Sequence, residues 1–304
     1  MRLPSEAKDV VLEINRPRSE QVRKSIRRAW TLAYSKPLGT LGVVIILFFT
    51  FVAIAGPVLE PYDPRVTNPD AVFLKPGDPQ AWFGTDMLGR DMMSRTIRGA
   101  KTSMTVGLAV TVAASLIAAT LGITSAYFGG KFDLILQRFI DAKSAFPSLL
   151  LALAFMAAFG PSFWSLILAL IIIFSSRGVR VIRSQVLSIK EMPYVDAARS
   201  IGAGTLRIMA RHIAPNTFGI IMVVATTSIG SVIIVEASLS FLGVSAGGVV
   251  ISWGELVGSR MMRYFNEAPW MVLFPGGALT ILVFGVNILG DALRDILDPR
   301  MRGR

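Results

Sequence analysis

The amino-acid sequence predicts an all-α membrane protein with six transmembrane helices and a short cytoplasmic loop helix between the fourth and the fifth. Three observations support this fold class. Hydrophobic residues make up 53% of the 304 residues, several uncharged stretches are long, and most of the 31 Lys and Arg residues lie in alternate segments between those stretches. An apolar helix of about 20 residues spans the hydrocarbon core of a bilayer, and basic segments mark its cytoplasmic side.

The first transmembrane helix is predicted at residues 37–59, after a basic segment, residues 1–36, that we interpret as a cytoplasmic tail. A basic segment, an apolar stretch and the small-residue sequence Ala53-Ile54-Ala55 also occur in this order in cleaved signal peptides. Here both the basic segment and the apolar stretch are longer than in a signal peptide. We therefore expect the helix to be retained in the mature chain.

Residues 60–101 form a predicted extracytoplasmic segment, and residues 102–290 form a predicted core of five more helices. The uncharged stretch 144–176 is too long for one span and contains Gly160-Pro161, a turn signal, so two helices are expected there. The first of these two has to begin upstream, near Leu134. Its entry turns then carry three charged residues, Arg138, Asp141 and Lys143.

Six helices place the most basic segments on one side of the membrane, namely residues 1–36, 131–143, 177–211 and 291–304. Because basic segments face the cytoplasm, both termini, including the tail 291–304, are predicted to be cytoplasmic. Four tryptophans fall on the opposite side, as an aromatic belt at the outer membrane surface would require. They are Trp82, Trp164, Trp253 and Trp270.

The cytoplasmic loop at residues 190–216 has the pattern of a helix. Apolar or small residues recur at intervals of three and four, which predicts one face of a helix, and Pro193 suits a helix start. Gly202 and Gly204 weaken a helix, so we expect two short helices joined there. The face consists of Val195, Ala198, Gly202, Leu206, Met209 and Ile213. Such a segment either docks into a groove of a soluble partner or lies on the lipid headgroups.

The spacing within this loop resembles the EAA loop of the membrane-spanning subunits of ABC importers. Asp196-Ala197-Ala198, Gly202 and Pro215 match the acid-Ala-Ala, Gly and Pro positions of that motif. Three residues depart from it, because Asp196 replaces the usual Glu, His212 the common Ile and Ala214 the common Leu. The first departure keeps the charge, and the other two affect local packing.

Three further segments are similar to the second permease subunit of dipeptide, oligopeptide and nickel importers. The first is Phe83-Gly84-Thr85-Asp86-Met87-Leu88-Gly89-Arg90-Asp91, before the second predicted helix. The second is Glu236-Ala237-Ser238-Leu239-Ser240-Phe241-Leu242-Gly243, after the fifth. The third is Gly290-Asp291-Ala292-Leu293-Arg294-Asp295, at the end of the last helix. The resemblance covers nearly the whole chain beyond residue 25.

This resemblance implies a multi-pass subunit of the bacterial cytoplasmic (inner) membrane that translocates peptides by alternating access. The implied partners are a second homologous permease, two cytoplasmic ABC ATPases that carry ATP and Mg, and an extracytoplasmic solute-binding protein. Nickel or another small solute remains an alternative substrate, and a self-contained secondary transporter an alternative function. The residues expected to couple the chain to its ATPases are Asp196, Ala197, Ala198, Gly202, Arg207 and Pro215.

The sequence also predicts what the chain does not do. It contains no phosphate-binding loop of the form G-x-x-x-x-G-K-[S/T], no cysteine and one histidine. We therefore expect a non-catalytic subunit without a cofactor or a metal, and the long apolar runs argue against nucleic-acid binding. Glu236 could line the translocation path or a gate, or cap the packing at the outer surface. Asp86, Arg90 and Asp91 are expected to form a structural network rather than a substrate site.

Overall fold

A computed structural model describes residues 36–244 and 250–297 of the chain. Residues 1–35 and 298–304, which hold most of the two predicted tails, lie outside that part. Within it the chain is helical, with one 3-10 turn at Pro69–Ala71, one π-helical turn at Met209–Ile213 and no strand longer than an isolated bridge. The α-helices are α1 (Pro37–Leu59), α2 (Met92–Phe128), α3 (Gly130–Ser144), α4 (Ser148–Phe159), α5 (Phe163–Ile189), α6 (Pro193–Ser200), α7 (Thr205–Ile208), α8 (Ala214–Phe241), α9 (Trp253–Val257), α10 (Ser259–Met262) and α11 (Trp270–Leu297).

Five helices in the described part are long and apolar enough to cross a membrane: α1, α2, α5, the helix Thr205–Phe241 that contains α8, and α11. These correspond to five of the six predicted spans. The remaining prediction, one helix from near Leu134 to the turn at Gly160, is wrong in form. Helices α3 and α4 occupy this segment and are bent by 92° at a short break, so a sixth span exists only if this bent pair is counted as one.

The break between α3 and α4 is explained by Pro147, which has φ −56° and ψ 131° and precedes the first residue of α4. A proline disfavours the helical conformation of the residue before it, here Phe146. Because α4 has 12 residues, it extends over only about 18 Å and cannot cross a core of about 30 Å alone. The sequence prediction of a break at Gly160-Pro161 therefore has to be extended by a second break, at Pro147, 14 residues earlier.

Helix α2 lies at the centre of the bundle and packs against α5, α8 and α1, while α1 also packs along α11. Glycines permit several of these contacts, because small residues let membrane helices approach closely. A Cβ at Gly285 of α11 would lie 2.5 Å from Ile45 Cγ2 of α1, and one at Gly122 of α2 would lie 3.1 Å from Ile182 of α5. The backbones of these helices therefore approach more closely than alanine would allow.

The segment before α2 folds around a buried carboxylate, that of Asp86. Its oxygens accept hydrogen bonds from the backbone N–H groups of Leu88 and Arg90 at 2.8 and 3.0 Å and from Arg90 Nε at 2.6 Å. Asp91 caps α2, since its carboxylate accepts from Ser94 N at 2.7 Å. A buried carboxylate that is paired and hydrogen-bonded holds a loop together, so the structural interpretation of these residues is confirmed.

Two of the four tryptophans do not belong to an aromatic belt. Trp253 and Trp270 are 0% and 9% exposed, and their indole N–H groups donate to Thr96 O at 2.8 Å and Thr85 O at 3.0 Å. Both pack inside the chain against α2 and the segment before it. Trp82 and Trp164 are largely exposed and remain compatible with a belt. Indole donors that meet backbone carbonyls explain why tryptophan is tolerated inside.

Candidate functional site

The loop after α5 forms the two short helices that its sequence predicts. Pro193 occupies the first turn of α6, and Gly202 ends that helix with a φ of +75°. The N–H of Gly202 donates to Arg199 O at 2.9 Å and the N–H of Ala203 to Ala198 O at 3.0 Å. This pair of bonds is a Schellman motif, in which glycine supplies the left-handed residue. The turn separates α6 from α7.

The inner face of the loop is seated on the transmembrane helices. Val195, Ala198, Ile208 and Ile213 are at most 5% exposed and belong to one apolar cluster with residues of α2, α3 and α5. Val195, Ala198 and Ile213 were predicted to share a face, and they do. Leu206 was predicted on the same face, but it is 75% exposed because the turn at Gly202 changes the direction of the chain.

The outer face of the loop presents the other predicted coupling residues. Asp196, Ala197, Gly202 and Arg207 are exposed, whereas Ala198 is buried in the chain's own core and cannot contact a partner directly. Two large apolar side chains, Ile201 and Leu206, are 85% and 75% exposed beside them. Ile201 was not among the predicted coupling residues. The sequence feature that could have identified it is an apolar residue directly before a helix-ending glycine, at a position outside the periodic face.

Asp196 makes the local pair that its spacing allows. Its carboxylate lies 3.1 Å from Arg199 Nη1, with both side chains exposed, so the pair contributes less than about 1 kcal/mol. The Arg199 guanidinium also lies 5.9 Å from the centre of the Tyr127 ring. This cation–π contact links the loop to the end of α2. Asp196 thus retains an exposed oxygen and is available to further partners.

Pro215, one of the predicted coupling residues, is exposed and lies within a helical segment rather than in a loop. It lies in the first turn of α8, directly after the π-helical turn Met209–Ile213, and the chain is helical on both sides as part of the long helix Thr205–Phe241. A proline near the start of a helix needs no partner for its missing N–H. The change from π-helix to α-helix just before Pro215 provides such a start within the longer helix. Pro215 therefore marks where the loop passes into the membrane helix.

Glu236 lies inside the bundle and not at its outer surface. The residue is 1% exposed, and its Oε1 accepts a hydrogen bond from Ser240 Oγ at 2.8 Å. Its Oε2 has no hydrogen-bond partner among residues 36–244 and 250–297. The expectation that it caps the packing at the surface is therefore wrong. Its burial leaves it off any open path in this conformation.

Comparison with known proteins agrees with this architecture. Residues 118–303 match the family model of the binding-protein-dependent transport system inner membrane component. Residues 25–76 match the N-terminal transmembrane domain of oligopeptide transport permease C. The first match covers more than half of the chain and includes the loop and all helices from the end of α2 onwards.

Individual relatives match over nearly their whole length. The dipeptide transport system permease protein DppC of Alkalihalophilus pseudofirmus is 37% identical over 91% of this chain and 90% of its own. The oligopeptide transport system permease protein OppC of Bacillus subtilis is 36% identical over 93% and 94%. An inward-facing structure of the MetNI methionine ABC transporter has the same fold, with a TM-score of 0.54 at 14% identity over 68% of this chain and 98% of that one. The chain therefore belongs to the family of inner membrane components of binding-protein-dependent transport systems, the permeases of ABC importers, in its permease C branch.

Proposed function

We propose that this chain is the second, C-type permease subunit of an ATP-driven importer that moves dipeptides or oligopeptides across the bacterial inner membrane by alternating access. The observation that carries the proposal is the two-sided loop after α5. Val195 and Ala198 anchor its inner face on the membrane helices, while Ile201 and Leu206 project from its outer face. An exposed apolar pair on a rigid support is what a docking surface requires.

The packing of the loop against the membrane helices favours docking on a soluble partner over a helix that lies on the lipid headgroups. An interfacial helix buries its apolar face in the headgroup region, whereas the apolar face of α6 is occupied by the chain's own helices. The outward side chains form a small apolar pair beside two charged residues, Asp196 and Arg207. Such a mixed patch fits a groove in a soluble protein, with the apolar pair as anchors and the charges at the rim.

The proposed partners are two cytoplasmic ATPases, a second homologous permease and an extracytoplasmic solute-binding protein. The ATPases bind ATP and Mg and hydrolyse the nucleotide, while this chain contributes no catalytic group. Closure of the ATPases pushes on the outer face of the loop. The anchored inner face and the continuous helix Thr205–Phe241 pass that displacement to the bundle. The proposed topology, with the basic segments on the cytoplasmic side, has the loop and both termini in the cytoplasm.

Peptides are the proposed substrates because the relatives that match over more than nine-tenths of this chain are named dipeptide and oligopeptide permeases. Nickel is disfavoured, since the described residues contain no group of three or more His, Asp or Glu side chains that could hold a metal ion. A permease can also pass a metal complex without ligating it, so transport assays with both solutes separate the two.

Affinity purification of the tagged chain from its native membrane tests the proposal. Recovery of a second permease and ATPase subunits, with ATP-dependent uptake of a peptide after reconstitution with the solute-binding protein, is the expected result. A chain that purifies alone and moves solute down an ion gradient without ATP would be a secondary transporter and would overturn it. ATP-driven uptake of nickel but of no peptide would leave the importer assignment intact and correct the substrate.

A further inference from the structure

A cavity of about 550 Å³ opens at the bend between α3 and α4. The wall opposite the bend is formed by α5, and Ser231 and Val235 of α8 close it on a third side. Ligand pockets in proteins commonly have volumes of about 300 to 1,000 Å³. The bend between α3 and α4 therefore creates a space large enough for a small solute.

Lys143 projects into the cavity from the last turn of α3 and is held in place by α5. Its ammonium group donates to Ile172 O at 2.6 Å, to Ile173 O at 2.7 Å and to Ser176 Oγ. All three acceptors are uncharged, so the positive charge is fixed in position but not neutralised. These three bonds use all three N–H donors of the ammonium group, so Lys143 adds positive potential to the cavity and leaves direct hydrogen bonding of an anion to a neighbouring donor.

Two arginines of α5 add to the positive charge of the cavity. Arg180 donates to Ser144 Oγ at 2.5 Å and lies 3.7 Å from Asp141 Oδ1. Among the described residues, Lys143 and Arg177 have no carboxylate within 4.0 Å. One carboxylate therefore faces three cations, and the cavity carries excess positive charge.

The cavity lies at the depth of the hydrocarbon core. Ile172, which holds Lys143, is about 14 Å along α5 from its first residue, and Ser231 is about 15 Å from the end of α8 on the same side. In the proposed topology the first residue of α5 and the end of α8 lie at the outer edge of a hydrocarbon core about 30 Å thick, which puts both positions near its middle. Charged side chains at this depth are costly and face a polar cavity or a partner charge rather than lipid.

We propose that this cavity binds the terminal carboxylate of the peptide substrate as it crosses the membrane, with Arg177 as the anion-binding residue and Lys143 as a nearby fixed positive charge. The inference rests on the proposed function, because it assigns a site to the substrate of that importer. A carboxylate is the anion that every unmodified linear peptide carries, whatever its side chains. A site for this group accepts many sequences, as a permease for mixed peptides must.

The remaining walls fit the rest of a short peptide. Phe146, Leu151 and Phe174 provide apolar surface, and Ser148 and Ser231 provide hydroxyl groups. Apolar walls with a few placed polar groups bind varied side chains, while the charged end fixes orientation. The carboxylate would lie at the α3–α5 end of the cavity and the side chains against the aromatic rings.

The test measures direct peptide binding to the assembled importer in lipid nanodiscs without its solute-binding protein. The two probes are radiolabelled alanylphenylalanine and its carboxyl-terminal amide, which differ only in the anionic group. The free acid is expected to bind at least about tenfold more tightly than the amide, the range of a charge-assisted contact. Arg177→Gln is expected to remove that preference, and Lys143→Gln to reduce it.

Lys131→Gln is the matched control, because Lys131 lies on α3 outside the cavity and is exposed. The importer with this substitution is expected to keep the wild-type preference for the acid. Arg177→Gln still tests the site if Lys143→Gln fails to fold, since Arg177 is exposed and has no carboxylate partner within the described residues and its replacement should not disturb the fold. Preference for the acid that survives both substitutions overturns the inference. So does equal binding of acid and amide, or no binding of either.

Two further measurements separate the remaining outcomes. Nanodiscs with phosphatidylglycerol are compared with nanodiscs of phosphatidylcholine alone. If the anionic lipid displaces the peptide and copurifies in a Lys143-dependent way, the cavity is a headgroup site and the inference is overturned. Uptake of the same dipeptide with the solute-binding protein present is measured in parallel. Absence of uptake by the wild type would refute the proposed function itself, whereas uptake without carboxylate preference would refute only the cavity site.

Discussion

Arg183 of α5 and Asp133 of α3 form a two-pronged ion pair, with Nε to Oδ1 at 2.7 Å and Nη2 to Oδ2 at 2.5 Å. The pair joins the first turn of α3 to the carboxyl-terminal half of α5, and Ser125 and Gln137 complete the network around Asp133. Together with Lys143 at the other end of α3, it fixes this helix along α5. These contacts at the two ends of α3, together with the bond from Arg180 to Ser144, hold the helix in the position that forms the cavity.

Arg183→Ala is expected to destabilise the chain by about 1–3 kcal/mol, since it removes a partly buried, charge-assisted pair and leaves Asp133 with neutral partners. Arg138→Ala is the control. Arg138 is exposed and lies 3.8 Å from Asp141, so its loss is expected to cost less than about 0.5 kcal/mol. Thermal unfolding of both variants in detergent measures the difference. Equal unfolding temperatures would contradict a structural role for the pair.

Gly285→Ala is expected to loosen the contact between α1 and α11. A Cβ there would lie 2.5 Å from Ile45 Cγ2 and 2.8 Å from Ile45 Cβ, and a β-branched side chain cannot move aside. Overpacking of this kind costs about 1–3 kcal/mol. Gly277→Ala on the same helix meets nothing within 4 Å and is expected to be neutral or stabilising, because alanine favours helix. The unfolding temperatures of the two variants should therefore differ in sign or in size, and a Gly285→Ala protein as stable as Gly277→Ala would refute the close contact.

Gly202→Ala is expected to weaken assembly with the ATPases. Gly202 has a φ of +75° with open space around its Cα, so the penalty is backbone strain of about 1–2 kcal/mol and not a clash. That strain corresponds to about a fivefold to thirtyfold loss of the correctly folded loop. Copurified ATPase per permease is the readout. Gly202→Asn, which tolerates this conformation better, should recover part of the loss, and Gly204→Ala, whose φ is −66°, should cause little.

Glu255, in α9 outside the spanning helices, should make stability depend on pH. Burial raises the pKa of its carboxyl above the ordinary 4.5, and the opposing effects of Arg95, Arg90 and Arg260 are smaller. The folded state favours the protonated carboxyl group. The stability of the folded state that depends on Glu255 is therefore fully present below pH 4.5 and is lost as the pH rises through the raised pKa. Glu255→Gln should therefore gain unfolding temperature relative to wild type between about pH 4 and about pH 8. A difference that stays constant or falls over this range would contradict the burial argument.

The sequence predicted the elements with strong local signals. Long uncharged stretches predicted five spanning helices, and Pro193 and Gly202 predicted α6 and the turn after it. Beyond that turn the predicted face is correct for Ile213 and wrong for Leu206, because a left-handed residue changes the helix direction and interrupts the periodicity. Leu206 was placed inward for this reason and lies outward.

The charged cavity could not be predicted from the sequence, because it depends on tertiary contacts. Lys143 was interpreted as an entry-turn residue of a straight helix, and its contacts with Ile172, Ile173 and Ser176 arise only once Pro147 bends the chain. Glu236 was misplaced for a related reason. An acid at the end of an apolar run is usually exposed, and only the packing of α8 against α9 buries it.

The docking of the loop on the ATPases is the central claim, and the chain lends itself to a direct test because it contains no cysteine. A single cysteine at Ile201 or Leu206, which are 85% and 75% exposed, is labelled with a membrane-impermeant maleimide in inside-out vesicles, with and without the ATPases coexpressed. Ala198→Cys, at a position 5% exposed, is the buried control. We predict rapid labelling of both outer positions in the permease alone and strong protection in the assembled importer. Equal labelling in both preparations would contradict the account.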